Sequence, residues 1–446
     1  MQTVSAEFAR RNATLPCQLK RVVCERPTQA GDPVTEYQDN TAKAAQAMRE
    51  LFEETPMQRN DHLSQKYGAD IWLKREDLSP VRSYKIRGAF NAISSALTAK
   101  PNQQLFVCAS AGNHAQGVAY VCKHFGVKGI IYMPVTTPQQ KIMKTKMFGD
   151  DQVEVVLIGD FFDDTLAAAQ AYCETEGGHF LSPFDDVDVI EGQSTVALEI
   201  EAQLGRMPDM MVLPVGGGGL SAGIVSYFGM DALDYLFVEP KGGASLVAAV
   251  DNKGPLTLET VDNFVDGAAV ARIGSRNFAV LMDVVPEQVL PVSEDRLCTT
   301  IIEMLNLEGV VLEPAGALSI DALQDVVDQI KGKTVVCVTS GGNFDFERLP
   351  EVKERAQRYL GLKRYFILRL PQRPGALKDF LGMLGPNDDI ARFEYLKKSA
   401  RNFGTVFIGI ETDDRTSFAR LEKSAIRAGF SLRDITEDTA IADFLV

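Results

Sequence analysis

The 446-residue chain contains one tryptophan, four histidines and seven cysteines, and no two of the cysteines form a CxxC pair. An odd, scattered set (Cys17, Cys24, Cys108, Cys122, Cys173, Cys298, Cys337) argues against a disulfide framework or a zinc site and for reduced thiols. Positive charge is scarce: 46 Lys and Arg face 60 Asp and Glu, a net charge of −14. Such a surface repels phosphate backbones and anionic lipid, which sets nucleic-acid and membrane-surface functions aside. No apolar run reaches the ~18 residues of a membrane span. The opening stretch, MQTVSAEFARRNATLPCQLK, has no apolar segment ahead of a small-residue cleavage site, so a cytoplasmic protein is expected. Low-complexity tracts and internal repeats are missing as well.

What remains is the balance of a globular enzyme, 45% apolar and 24% charged, long enough for two or three domains. Residues 1–38 show no sustained period and read as an N-terminal arm. TAKAAQAMRELFEE (41–54) places Ala44, Met48, Leu51 and Phe52 on one face of an amphipathic helix. Short β-branched runs then alternate with helical stretches up to about residue 350. Predicted strands are 71–76, 105–110, 129–134, 154–159, 210–215, 235–240 and 334–340; predicted helices include Ile86–Ala96, Asn113–Phe125, Gln139–Met147, Asp163–Glu176 and Thr195–Leu204. Strands apolar on both sides, alternating with helices, predict an α/β fold with parallel sheets covered on both faces. VKERAQRYLGLKR (352–364) reads as a charged helix-and-linker segment, with the linker proper placed at 351–363. The tail, 364–446, has the order βαββαβ of an α+β ferredoxin-like domain.

Four strand–helix turns carry residues suited to chemistry. In LKREDLSPVRSYKIRGAFN (73–91), Lys85 stands at a helix start, where partial desolvation favours the neutral amine needed by a nucleophilic lysine; a solvated surface lysine is the alternative. In SAGNHAQG (110–117), Ser110, Ala111, Gly112, Asn113 and His114 offer bare N–H groups and side-chain donors at a helix N-terminus, room for a carboxylate. An ordinary capped turn with His114 as a core imidazole fits equally. PVGGGGLSAG (214–223) puts Gly216, Gly217, Gly218, Gly219 and Leu220 between a strand and a helix, a phosphate loop without the lysine of a Walker motif. Gly217, Gly219 and Ala222 also match the loose dinucleotide spacing, with Glu239 where a ribose-binding acid would stand, so a nicotinamide-dependent oxidoreductase stays open, as does a turn with no ligand. TVVCVTSGGNFDF (334–346) sets Ser340 at the end of a buried strand, facing the crevice of an α/β sheet. Glu313, in EPAG, is either a helix cap or a carboxylate reaching that crevice.

As an ordered set, KREDLSPVRSYKIRGAFN, SAGNHAQGVA, VIEGQSTVALEI, PVGGGGL, EPAGALS and VTSGGN resemble the fold-type II pyridoxal-phosphate enzymes, and within them the threonine ammonia-lyases (threonine dehydratases). The resemblance spans residues 40–446. It implies a tryptophan synthase β-like catalytic domain over 39–350 with a smaller subdomain inserted at about 80–185, and pyridoxal 5′-phosphate as cofactor. It implies that Lys85 holds the cofactor covalently and later acts as base, that Asn113 contacts the 3′-oxygen, that Gly216–Leu220 cradle the phosphate and that Ser340 faces the pyridine nitrogen. Ser110, Ala111, Gly112 and His114 would hold the substrate carboxylate. No metal is implied. RYFILRLPQRPGALKDFLGML resembles the opening of an ACT-like regulatory domain, with Arg373-Pro374-Gly375 at its turn. One such domain implies a short biosynthetic enzyme acting on L-threonine, inhibited by isoleucine, first in isoleucine biosynthesis, and a homo-oligomer, a tetramer in expectation. A serine-directed dehydratase or racemase of the same fold, a non-catalytic amino-acid sensor, and a tail that only glues subunits are the rival expectations.

Overall fold

The structure, a computed structural model, describes residues 33–396 and 403–438. Fourteen strands form three sheets among these residues. The first is six-stranded, in the order β1-β2-β10-β7-β8-β9, built from β1 (Met57–Arg59), β2 (Asp70–Arg75), β7 (Met210–Pro214), β8 (Asp234–Pro240), β9 (Val289–Val292) and β10 (Thr334–Thr339). All its pairs are parallel except β1 with β2. The second, β5-β4-β3-β6, is wholly parallel and comprises β3 (Leu105–Ala109), β4 (Lys128–Met133), β5 (Val153–Leu157) and β6 (His179–Phe180). Residues 105–180 thus form a smaller unit inserted between β2 and β7 of the larger sheet. β7 and β10 are buried at every position, so β-branched and apolar residues run through them without alternation.

The third sheet is antiparallel, β12-β13-β11-β14, from β11 (Lys363–Pro371), β12 (Asp389–Leu396), β13 (Phe403–Glu411) and β14 (Ser431–Asp434). Read from β14, that is the 4-1-3-2 order of a ferredoxin-like domain. Phe366, Leu368, Val406 and Ile408 form its core with Phe380 and Phe418 from the two covering helices.

Two expected helix bounds need correction. The first described helix runs Pro33–Met48, not 41–54, so residues 33–38 are helical rather than part of an arm; the remainder of that arm lies outside the described residues. Farther on, the Thr55 carbonyl accepts from Lys74 and its hydroxyl donates to Glu76, and Pro56 disfavours helix at Thr55. The helix-and-linker reading of 351–364 holds for its helix, which packs into the catalytic core. A helix, Leu349–Tyr359, occupies most of it, and Val352 and Ala356 belong to the same core as Leu73, Val212 and Cys337. The helix predicted to begin at Thr195 begins at Val187, where Asp186 caps it by accepting from Asp188 N and Val189 N. Gly192 inside it hides the period, and the reason is spatial: a Cβ there would meet the Arg87 carbonyl.

No helix among the described residues is long and apolar enough to cross a membrane, and no cluster of three His, Cys, Asp or Glu side chains is arranged for a metal.

Candidate active site

The turns that follow β2, β3, β7 and β10 at their carboxyl ends meet in one crevice between the two parallel sheets. Lys85 is the first residue of the helix Lys85–Ala99, and its Nζ donates to the Pro183 carbonyl at 2.7 Å. The Tyr84 and Phe184 rings lie 5.4 and 5.8 Å from that nitrogen. Enclosure among rings removes water from the ammonium and lowers the Lys85 pKa to about 8, against the opposing pull of the Glu313 charge.

Asn113 opens the helix Asn113–Phe125. Its Nδ2 donates to Glu313 Oε1 at 2.6 Å, and its Oδ1 accepts from Asn343 Nδ2 at 2.7 Å. Asn343 Oδ1 in turn accepts from Lys144 at 3.3 Å. Lys144 belongs to the helix Gln139–Gly149 of the smaller unit, so this chain crosses the crevice. Burial raises the Glu313 carboxyl to about 7; the nearby Asp266 charge adds to this and the Asn113 bond opposes it.

Ser110 Oγ accepts from Gly112 N at 3.2 Å, which closes the turn after β3. A Cβ built on Gly112 would meet nothing within 4 Å, so open space stands before this loop. Ala111 and Gly112 are half-buried there. The His114 side chain does not share that space: its Nε2 lies 3.2 Å from the Leu181 carbonyl, and burial together with the Lys85 charge lowers its pKa to about 3. It is a neutral core imidazole at working pH.

Gly216–Leu220 link β7 to the helix Gly219–Phe228. A side chain on Gly217 would overlap the Phe184 ring, and Gly218 adopts φ +88°, which favours glycine. Asn277 Nδ2 donates to the Gly217 carbonyl at 2.6 Å and to Phe184 O at 3.1 Å, fixing the loop from behind. Glu239 is fully buried and bonded to protein, accepting from Leu246 N at 2.7 Å and Val247 N at 2.9 Å. Ser245, the first residue of the helix Ser245–Asn252 that carries both amides, donates to the Gly216 carbonyl at 3.3 Å. A ribose-binding acid would have its oxygens free, so the dinucleotide spacing of Gly217, Gly219 and Ala222 has no partner here. Glu239 supports the glycine loop instead.

Ser340 follows β10; its hydroxyl is buried and donates to Ala315 O at 3.2 Å. Its carbonyl accepts from Tyr84 N at 3.2 Å, which ties the Lys85 turn to the end of β10.

Residues 48–341 match the family described as pyridoxal-phosphate dependent enzyme, and residues 354–445 match the C-terminal regulatory domain of threonine dehydratase. The chain is 45% identical over 407 residues, 91% of its own length and 96% of the relative's, to the biosynthetic L-threonine dehydratase of Bacillus subtilis. It is 47% identical over 383 residues to that of Staphylococcus aureus, covering 84% and 90%. The chain belongs to the pyridoxal-phosphate dependent threonine dehydratase family. A solved structure, the processed threonine deaminase isoform 2 of Solanum lycopersicum, superposes with a TM-score of 0.68 at 33% identity, covering 77% of this chain and 99% of that one.

The threonine dehydratase crevice suits the pyridoxal 5′-phosphate that its family uses. A primary amine of lowered pKa stands beside a loop stripped of side chains at a helix N-terminus, the arrangement that receives a phosphate. Three contributors were invisible to sequence reasoning: the Pro183-Phe184 backbone and ring, Asn277 and Lys144. None sits in a recognisable motif, and each reaches the crevice from a segment remote in the chain.

Proposed function

We propose that this chain deaminates L-threonine to 2-oxobutanoate and ammonia by β-elimination, in the cytoplasm, as the first committed step toward isoleucine. The observation that carries the reading is the Lys85 amine, dehydrated between two rings and lowered to about 8. When bound, pyridoxal 5′-phosphate supplies an electron sink conjugated to the substrate's α-carbon. Lys85 Nζ, whose burial brings the free amine within reach of working pH, is the base that takes the α-proton. The substrate carboxylate lies against the open space before Gly112, with the backbone of Ser110–His114 as donors. Ser340 offers the pyridine nitrogen a neutral hydroxyl, which does not enforce protonation as a carboxylate would. A weaker sink favours prompt loss of the β-hydroxyl, which takes up a proton equivalent to the one removed by Lys85 and leaves as water. The released enamine tautomerises, and its hydrolysis gives the oxoacid and ammonia.

The tail (363–434 in its strands) serves as the regulatory part, responding to isoleucine, and the enzyme works as a homo-oligomer, a tetramer. The relatives named above are biosynthetic threonine dehydratases over nearly their whole length, which supports the substrate assignment. The test is steady-state oxoacid production from threonine and from serine, with and without isoleucine. Higher kcat/KM for threonine and inhibition by isoleucine are expected; a serine-selective enzyme indifferent to isoleucine would overturn the assignment.

A further inference from the structure

Asn113 serves the cofactor's 3′-oxygen only when its amide presents the nitrogen, because an ionised 3′-oxygen accepts and a carbonyl oxygen facing it would repel it. Turning the amide over exchanges donor for acceptor with almost no change of shape, so a neighbour has to select one orientation. Glu313 does not settle it alone. Burial raises its carboxyl to about 7, and a protonated carboxyl donates to an amide oxygen as readily as an ionised one accepts from an amide nitrogen.

The other partner of Asn113 is Asn343, whose own orientation is fixed at both ends. Its Nδ2 donates to the Val81 carbonyl at 2.8 Å, and its Oδ1 accepts from Lys144 Nζ at 3.3 Å. A backbone carbonyl only accepts and an ammonium only donates, so neither contact survives a turn of the Asn343 amide. The remaining Nδ2 proton goes to Asn113 Oδ1 at 2.7 Å. Asn113 Nδ2 is thereby left with one proton on Glu313 and one for a ligand. Gly341 and Gly342 make this approach possible. A Cβ on Gly341 would overlap the Glu313 carboxylate, and one on Gly342 would press on the Val311 carbonyl. Val81 lies in the turn just ahead of Lys85, whereas Lys144 belongs to the smaller unit, where Lys141 on the same helix pairs with Asp266 of the larger one.

We propose that Asn343 is a positioning residue for the reaction, selecting the orientation in which Asn113 gives the cofactor's 3′-oxygen a hydrogen-bond donor. This rests on the reading of the crevice as a pyridoxal-phosphate site in which Asn113 meets that oxygen. Lys144 completes the selection from across the crevice, so the donor is secured while the smaller unit stands against the larger. Asn343 acts through Asn113 and not on the substrate. Its loss is therefore felt first by the cofactor: a 3′-oxygen without its donor is less easily kept ionised, and the cofactor is held less tightly.

The experiment titrates full-length apoenzyme with pyridoxal 5′-phosphate and records the absorbance of the saturated enzyme without substrate. Asn343→Leu is close in size and makes none of these bonds. It should raise the Kd of the cofactor about tenfold to a hundredfold, the loss of a hydrogen bond to a charged group, and move absorbance from the visible band to the near-ultraviolet. At cofactor saturation kcat should fall with threonine KM little changed. In an Asn113→Ala background, where no amide is left to orient, Asn343→Leu should add nothing to either readout. Lys144→Met, at a half-buried position, should move the spectrum the same way by a smaller amount. Additive effects in the double variant, or wild-type spectrum and cofactor affinity in Asn343→Leu, would overturn the proposal. If Asn343→Leu does not fold by circular dichroism, Lys144→Met decides, and a wild-type spectrum there overturns it. A wild type that makes no oxoacid from threonine, with the spectral changes in place, would remove the proposed reaction and leave this positioning role standing. Threonine turnover by the wild type with no spectral change in the variants would do the reverse.

Discussion

Asn113 and Glu313, 200 residues apart in sequence, share a 2.6 Å hydrogen bond at the floor of the crevice, with Asn113 donating. Glu313 is 6% exposed, and burial holds its carboxyl up to about 7, near working pH. Its ionisation therefore changes the charge beside both Asn113 and Lys85. Glu313→Gln keeps an acceptor for Asn113 Nδ2 and removes that titration. The pH profile of the bound cofactor's visible absorbance should show a transition near pH 7 in the wild type that is missing in the variant. A transition persisting in Glu313→Gln assigns it to another group.

Lys85 captures the cofactor only as the neutral amine, so the rate at which apoenzyme takes up pyridoxal 5′-phosphate should rise with pH and reach half its plateau near 8 rather than near an ordinary lysine's 10.5. Lys85→Ala should lower turnover by at least the ~10²–10⁴-fold attributed to a positioned acid–base group. Borohydride reduction of the holoenzyme should leave the pyridoxyl group on the Lys85 peptide; label on a different lysine would refute the role.

Glu239→Gln replaces one oxygen by an NH2 that cannot accept from both Leu246 N and Val247 N. Leaving a buried donor without its partner costs about 1–3 kcal/mol, and here it also loosens Ser245 beneath Gly216. Weaker retention of the cofactor in dialysis is expected, with threonine KM little changed once the enzyme is saturated. An enzyme that retains cofactor as well as wild type would free Glu239 from this supporting role.

Beneath the helix of Lys85 lies a fully buried ionic cluster. Arg87 Nη2 meets Glu199 at 2.7 Å, Arg87 Nε meets Glu76 at 2.8 Å, and Lys74 meets Glu199 at 2.6 Å. The buried Arg87 and Lys74, joined by Arg49 at 2.5 Å, hold the Glu199 carboxyl well below the usual carboxylate range in spite of its burial, whereas burial outweighs pairing for Lys74 and lowers its pKa. A depressed carboxyl contributes stability that is present above the unfolded pKa, near 4.3 for glutamate, and is lost as pH falls below it. Glu199→Gln leaves two buried cations undercompensated, a change that typically costs about 3–5 kcal/mol. Denaturant unfolding at pH 7 should show that loss, and the wild type's steeper decline below pH ~4 should flatten in the variant.

Ending the chain after Gly361 keeps Val352 and Ala356 in the catalytic core and removes β11 onward. Threonine turnover should survive and isoleucine sensitivity disappear, measured by threonine saturation across isoleucine concentrations alongside sedimentation. Ending it before Leu349 should instead destabilise the catalytic part, because two core side chains leave with the helix. Full isoleucine sensitivity in the shorter enzyme would put the effector site in the catalytic part.

The strands β2, β3, β4, β5, β7, β8 and β10 were legible because each centres on a short run rich in β-branched and other apolar residues between helical stretches. β1, β6 and β9, of three, two and four residues, carry too few side chains for a period to show. The chemistry-bearing turns were legible for a similar reason: Lys85, the Ser110–His114 loop, the four glycines and Ser340 each follow a readable strand, and local composition announces them.

Three-dimensional packing alone decided the rest. Only the fold seats the Phe184 ring against Gly217 and turns His114 away to the Leu181 carbonyl. It also spends Glu239 on backbone amides and draws Lys144 across the crevice to Asn343. Each of these joins residues distant along the chain, through contacts whose energy depends on burial and orientation, and neither quantity is written in local composition. The sequence by itself determined which turns carry reactive groups, since those need particular residue types at strand ends. The tertiary structure decided which groups are neutral, which are occupied and which face open space, because desolvation and hydrogen bonding are properties of the packed molecule.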